Sequence, residues 1–213
     1  MAEMSKREFT KARHAQRREL QRVCRTAAKG TLWRSNQGVL INQRNGWFLA
    51  VHEMTDVCRE RTRARLVVKP MAIDPIFWDL VGEPQLRDQS LSFRYFGAVS
   101  CPCLILEEPE IAEDGGPAEI AGRMLALGEA KLSEIASTWT ADDFLLGIRN
   151  AINPGRHFAS TVSTLIAEGR DAEALELCEE AISRSAAGGF VSRRGSFPQN
   201  AANWIREKSQ SVD

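Results

Sequence analysis

Apolar and polar positions along the chain change their period twice. Over residues 4–28, Phe9, Ala12, Leu20, Val23, Cys24 and Ala27 recur at about helical spacing, with arginines on the other faces. This predicts one N-terminal helix, opened by Ser5 and Glu8 as a capping box and stopped at Gly30. Its apolar stripe is thin at the start, so the first turns need a partner to stay ordered, and residues 4–28 are a candidate dimer contact.

From Thr31 to about Glu107 the period becomes two. Thr31–Arg34, Val39–Gln43 and Trp47–Glu53 read as successive strands, with turns at Ser35 to Gly38 and at Asn45-Gly46. Arg61–Lys69 reads as a fourth strand, with Arg61, Arg63 and Arg65 on one face and Thr62, Ala64 and Leu66 on the other, ended by Pro70. Asp74-Pro75 predicts a short helix with Asp74 as its cap, anchored by Ile76, Phe77, Trp78, Leu80 and Val81. Leu91–Leu106 reads as a last extended run, bent or split near Gly97 and Pro102.

Beyond Pro117 the period is helical to the end. Helices are predicted over 117–137, 141–152, 156–168, 171–186 and 198–208, with Thr140 and Asp171 at cap positions and a break at Asn153-Pro154-Gly155. The expected fold class is therefore α+β: an N-terminal helix, an antiparallel meander of about five strands with a short packed helix, then a helical C-terminal region. Residues 1–107 read as a basic sheet domain, 108–117 as an acidic Pro/Gly linker and 118–213 as the helical part, separate from the first or packed with it.

The segment from Thr164-Leu165-Ile166-Ala167-Glu168-Gly169-Arg170 through Asp171-Ala172-Glu173-Ala174-Leu175 to Ala181 resembles part of a tetratricopeptide helical hairpin, with small residues where helices touch and glycine at the turn. The resemblance covers about residues 164–186. Ala126-Leu127-Gly128-Glu129 matches a second copy poorly, whereas a true array needs three or more repeats. A fuller resemblance would imply peptide or protein binding on a concave face.

Composition adds the charge. Among 213 residues, 28 Lys+Arg balance 28 Asp+Glu, yet residues 1–97 carry 18 basic and 10 acidic side chains and residues 98–213 the reverse. The extremes are residues 1–34, with ten Lys/Arg against three glutamates, and residues 107–143, with ten acids against Arg123 and Lys131. Such opposed fields pair with each other or steer different partners. No apolar run has membrane-span length and the N-terminus lacks an apolar signal core, so the expectation is a cytoplasmic protein with no membrane partner. Five cysteines fit reduced thiols rather than a disulfide framework.

Candidate chemistry is sparse. No P-loop, dinucleotide fingerprint or nucleophile elbow is present, and the expected cofactor set is empty. His52-Glu53-Met54-Thr55-Asp56 imitates a zinc-protease segment, but its fifth position is Asp56, so a strand-end histidine is the simpler reading. Cys101-Pro102-Cys103, with Cys58 or His52, is the other metal or redox candidate, set against plain packing.

Binding is better supported. Arg61, Arg63 and Arg65 form a row about 6–7 Å apart, which Arg34, Arg44 and Arg94 extend. Its counterpart is the chain's own acidic segment, an acidic partner protein or a nucleic-acid backbone. The leading expectation is a non-catalytic protein–protein interaction module, an adaptor or a toxin-immunity-type inhibitor. The alternatives are a nucleic-acid-binding protein using the basic helix and sheet, and an enzyme of unrecognised class around His52, Cys101 and Cys103.

Overall fold

The computed structural model describes residues 6–56, 61–111, 116–186, 188, 190–192 and 195–210. Ser5 and Cys58 lie outside them, as do the side chains of Glu8, Phe9, Ala12 and Arg61.

Helix α1 spans Lys6–Ala28. Two hairpins follow through β1 (Arg34–Asn36), β2 (Val39–Arg44) and β3 (Trp47–Asp56). Both turns hold two left-handed residues, Gln37 and Gly38 (φ 51° and 86°), then Asn45 and Gly46 (φ 47° and 81°). That conformation matches the twist of the flanking strands. The first strand therefore lies later than the expected Thr31–Arg34: the two-residue turn puts Asn36 opposite Val39 and Arg34 opposite Ile41. The turn expected over Ser35 to Gly38 thus narrows to Gln37 and Gly38, because glutamine carries no left-handed signal to mark it.

Strand β4 (Arg61–Pro70) runs to the proline, as its sequence requires. Thr62, Ala64 and Leu66 are buried while Arg63 and Arg65 are half-exposed; from Leu66 to Lys69 every residue is buried. The sheet continues through β5 (Leu104–Glu107), giving the order β1-β2-β3-β4-β5, the expected meander. A further strand, β6 (Glu110–Ile111), also pairs with β4, setting Ile111 opposite Thr62 and Glu110 opposite Arg63. Residues expected to be linker thus carry sheet pairing, and Pro109 accepts a hydrogen bond from the Ala64 amide.

The α2 helix (Ile73–Val81) starts before Asp74, with Ala72 as its cap residue. Asp74 is no cap: its carboxylate is buried and turned to other partners. The expected extended run over Leu91–Leu106 is also corrected, since Phe93–Phe96 forms the helical turn α3 and only Leu104 onward is strand. Aromatic spacing in Phe93-Arg94-Tyr95-Phe96 imitates a strand, but Gly97 closes the turn by donating its amide to the Phe93 carbonyl.

The remaining helices are α4 (Gly116–Thr138), α5 (Ala141–Arg149), α6 (Phe158–Ala167), α7 (Asp171–Ser183) and α8 (Phe197–Gln210). A two-stranded ribbon, β7 (Val191–Ser192) with β8 (Gly195–Ser196), precedes the last of these. Thr140 forms the capping box at α5, with Asp143 as its partner. Asp171 instead opens α7 one residue after the cap Arg170, and binds Lys208. α6 and α7 pack as a hairpin around Gly169 (φ 72°), and α7 packs on α8.

Two compact units interleave along the chain: Met1–Arg44, Leu49–Val67 and Ile105–Glu134 form the first, and Asn45–Phe48, Val68–Leu104 and Ile135–Asp213 the second. The first therefore draws on residues from both sides of 108–117. Its buried residues include Leu20, Val23, Trp33, Leu40, Leu49, Val51, Leu66, Met124 and Leu132. The second buries Phe48, Val68, Phe77, Trp78, Phe144, Val162, Leu165, Phe197 and Ile205. Among the described residues, no helix is long and apolar enough to cross a membrane.

Gly128 marks the tightest helix approach in the first unit. A Cβ there would lie 2.6 Å from the Trp33 ring and 2.9 Å from Val51. Gly128→Ala is expected to destabilise the protein by about 1–3 kcal/mol; a thermal melt equal to the parent's would mean that α4 has room to move away.

Candidate functional site

The sheet of the first unit supplies most of the arginines picked out in the sequence, and glutamates of the same unit meet them. Arg65 donates from Nε to Glu108 Oε1 at 2.5 Å. Arg63 lies 3.9 Å from Glu110, a consequence of the β4–β6 register. Arg44 donates to Glu129 Oε1 and to Ser133 Oγ, both at 2.6 Å. Glu129 also accepts from the Trp33 indole at 2.9 Å. The Trp33 hydrogen bond, followed by that of Arg44, holds this carboxyl below the ordinary glutamate range. The acidic segment is thus the counterpart of Arg44, Arg63 and Arg65. Arg34 is exposed on β1 and makes no ion pair with a described residue. These pairs are partly solvated, so each contributes at most about 1 kcal/mol; their main effect is to neutralise the row.

Arg94 belongs elsewhere. In the second unit it joins Lys69 and Asp74 in a buried ionic cluster, with side-chain exposures of 11%, 0% and 0%. Lys69 Nζ donates to Asp74 Oδ1 at 2.8 Å and to the carbonyls of Arg94 and Cys101 at 2.6 and 3.0 Å. Asp74 Oδ1 also accepts the Cys101 amide, and its Oδ2 accepts from Arg94, both at 3.0 Å. The guanidinium donates further to the Met71 carbonyl and lies over the Trp78 ring, 5.2 Å from its centre. Every ammonium proton of Lys69 has an acceptor, as a buried cation requires. The cluster clasps the non-repetitive chain around residues 94–101 onto β4 and α2. Sequence reading missed Lys69; its one signal is a lysine closing an apolar strand run, five residues before an aspartate.

The thiols are poor nucleophiles. Cys101 is buried, 3.8 Å from Ser163 Oγ, and burial pushes its pKa far up. Burial raises half-buried Cys103 to about 11, and Cys24 and Cys178 to about 12. All four are free cysteines. Iodoacetamide at about pH 8 is therefore expected to leave Cys103 largely unmodified in the native protein and to alkylate it in urea. Rapid native labelling, read by peptide mass spectrometry, would contradict the buried setting.

His52 lies inside β3 rather than at a strand end, because the strand continues to Asp56. Burial lowers its pKa first, Arg65 lowers it further, and Glu108 raises it. Extended backbone denies His52 and Asp56 the shared helical face that a zinc-protease pair needs. Among the described residues, no group of three or more His, Cys, Asp or Glu side chains is placed to hold a metal ion.

The sequence of α1 carries eight Lys/Arg and two Glu, with Arg22 and Glu19 paired. Its second half is anchored through buried Leu20, Val23, Cys24 and Ala28, and it packs on β1 and β2. Towards the N-terminus the burial stops. His14, Ala15, Gln16, Arg17 and Arg18 are five successive exposed residues, and at about 3.6 residues per turn they cover every side of the helix. Lys11, Arg17 and Arg18 make no ion pair with a described residue.

Comparison of the chain with protein-family models, curated proteins and solved structures finds no match in any of the three.

Proposed function

We propose that this chain is a non-catalytic binding protein whose contact element is the cationic first half of α1, and that its partner is anionic there. The observation that carries this reading is the solvated helical turn at 14–18 with its unpaired arginines. A helix of this length is marginal alone in water and gains most of its stability from packing, and the described residues 14–18 are all exposed. The sheet row is a weaker contact, because Glu108, Glu110 and Glu129 already neutralise most of it. Protonated thiols and a strand-bound His52 favour binding over catalysis. A second copy of α1 is a poor partner, since two helices of like charge repel.

The test is affinity capture of the full chain from its source cells, comparing the parent, K11Q/R17Q/R18Q and R63Q/R65Q. The expected result is a salt-released partner lost only with the α1 variant. Loss with R63Q/R65Q alone would overturn the proposal and restore the sheet as the interface. Both variants alter exposed or half-exposed charges, so unchanged circular dichroism and melting are expected to accompany either outcome.

A further inference from the structure

Resting on the reading of α1 as the contact element, we infer that its outward face binds an anionic lipid surface, with Leu32 set into that surface where the cationic row ends. At about 100° per residue, Arg18, Arg22 and Arg25 fall within about 40° of one line along the helix, and Lys11 joins them about two turns earlier. Lys29, in the turn after the helix, continues the line. All five side chains are exposed. The line runs opposite buried Leu20, Val23 and Cys24, on the side of α1 that packs against the sheet. Lys11, Arg18, Arg25 and Lys29 make no ion pair with a described residue, and Arg22 pairs with Glu19, which lies to the side of the line.

A second observation comes from the turn beyond Lys29. Leu32 is 76% exposed and stands three residues on, within about 11 Å along the chain. Its neighbours are tied down. Thr31 Oγ1 donates to the Ala28 carbonyl at 2.8 Å and accepts the Trp33 amide at 3.1 Å, while the Trp33 side chain is buried with its indole on Glu129. Leu32 is thus held out to solvent by a fixed turn, and exposed Arg34 follows it. One exposed leucine is ordinary by itself; this one puts an apolar tip at the end of a cationic row.

A lipid surface uses both parts. Each Lys or Arg near an anionic leaflet strengthens binding with no apolar anchor between them, and a straight row of about 21 Å from Lys11 to Arg25 meets a flat surface along its whole length. Below the headgroups lies apolar depth, where a leucine gains by leaving water. An acidic protein fits less well, because protein interfaces centre on large side chains packed in pockets, and the apolar residue here stands beyond the end of the row. A nucleic acid fits less well too: a phosphate chain offers a leucine nothing to bury against, and the described side chains of α1 include no Phe, Tyr or Trp for bases to stack on. Such a contact needs no spanning helix. It replaces the expectation of no membrane partner, which rested on the lack of an apolar run long enough to cross.

The experiment is co-sedimentation of the full chain with vesicles of mixed phosphatidylcholine and phosphatidylserine, against vesicles of phosphatidylcholine alone, at about 0.1 M salt. Expected is binding to the mixed vesicles only, released at about 1 M salt, where screening cuts the reach of charge to about 3 Å. K11Q/R18Q/R25Q/K29Q should weaken binding about 100-fold or more, at roughly fivefold per cation. L32S should weaken it about fivefold, whereas R63Q/R65Q should leave it unchanged. All these side chains are exposed or half-exposed, so unchanged circular dichroism is expected throughout. No binding to the mixed vesicles, equal binding to phosphatidylcholine alone, or no loss with L32S overturns the lipid assignment. So does tighter binding to a DNA duplex or a polyglutamate peptide than to vesicles at the same anion concentration. In that case, loss on K11Q/R18Q/R25Q/K29Q keeps α1 as the contact element and replaces only the partner. Vesicle binding that the α1 variant leaves intact overturns both the lipid inference and the α1 reading beneath it.

Discussion

Asp74→Ala is expected to destabilise the protein by about 3–5 kcal/mol, the cost of leaving a buried charge without its partner. Among the described residues the carboxylate is the anion that pairs with both Lys69 and Arg94, and it also receives the Cys101 amide. Without it, Lys69 retains two carbonyl acceptors but no counter-charge, inside fully buried surroundings. For a chain of this length about 1 kcal/mol corresponds to roughly 2–4 °C in Tm, so a drop of about 10 °C is expected. Urea denaturation gives the free energy directly, and a loss below about 1 kcal/mol would show that water reaches the site. A double-mutant cycle with Lys69→Met isolates the pair: because the lysine also holds the carbonyls of Arg94 and Cys101, the two losses should not add.

Trp78→Ala is expected to cost a similar amount, about 3–5 kcal/mol, for a different reason. Its indole is fully buried, lies under the Arg94 guanidinium and has the Phe93 ring 6.2 Å away. Its Nε1 also donates to the Val99 carbonyl at 2.7 Å. Truncation leaves a cavity and an unpaired carbonyl together. Trp78→Phe separates the two, restoring most of the ring area while losing the hydrogen bond, with an expected cost of about 1–2 kcal/mol. Chemical denaturation of both variants checks the split; equal losses would mean that the carbonyl contact dominates.

These two residues also show where the sequence was readable. Trp78 sits in a dense apolar run, and its anchoring role follows from that pattern alone. The alternation in β4, the Asn45-Gly46 turn, the Thr140 cap and the α6–α7 hairpin are local signals of the same kind. Asp74 shows the opposite case. Beside Pro75 it has the form of a helix cap, but its partners are Lys69, five residues back, and Arg94, 20 residues on. A one-dimensional pattern weighs neighbours, and cannot rank a distant cation above a nearby amide. The same reason explains Leu91–Leu106, where the clasp from Lys69 holds a path that is mostly neither helix nor strand. For the charged row, the sequence supplied both sets of residues, Arg44, Arg63 and Arg65 and the acids after Leu106; only the β4–β6 register determines that Arg63 meets Glu110. The exposure of α1 at 14–18 is foreshadowed by the thin apolar stripe of its first turns.

The interleaving of the two units has a consequence for how the chain is made. The path passes between them five times, after Arg44, Phe48, Val67, Leu104 and Glu134. The first unit is incomplete until residue 134 has left the ribosome, by which point the second lacks everything from Ile135 onward. Neither unit is a continuous stretch of chain, so no single cut yields two whole ones. A gene fragment ending at residue 107 would lack part of both, and expressing the halves separately is not a route to either.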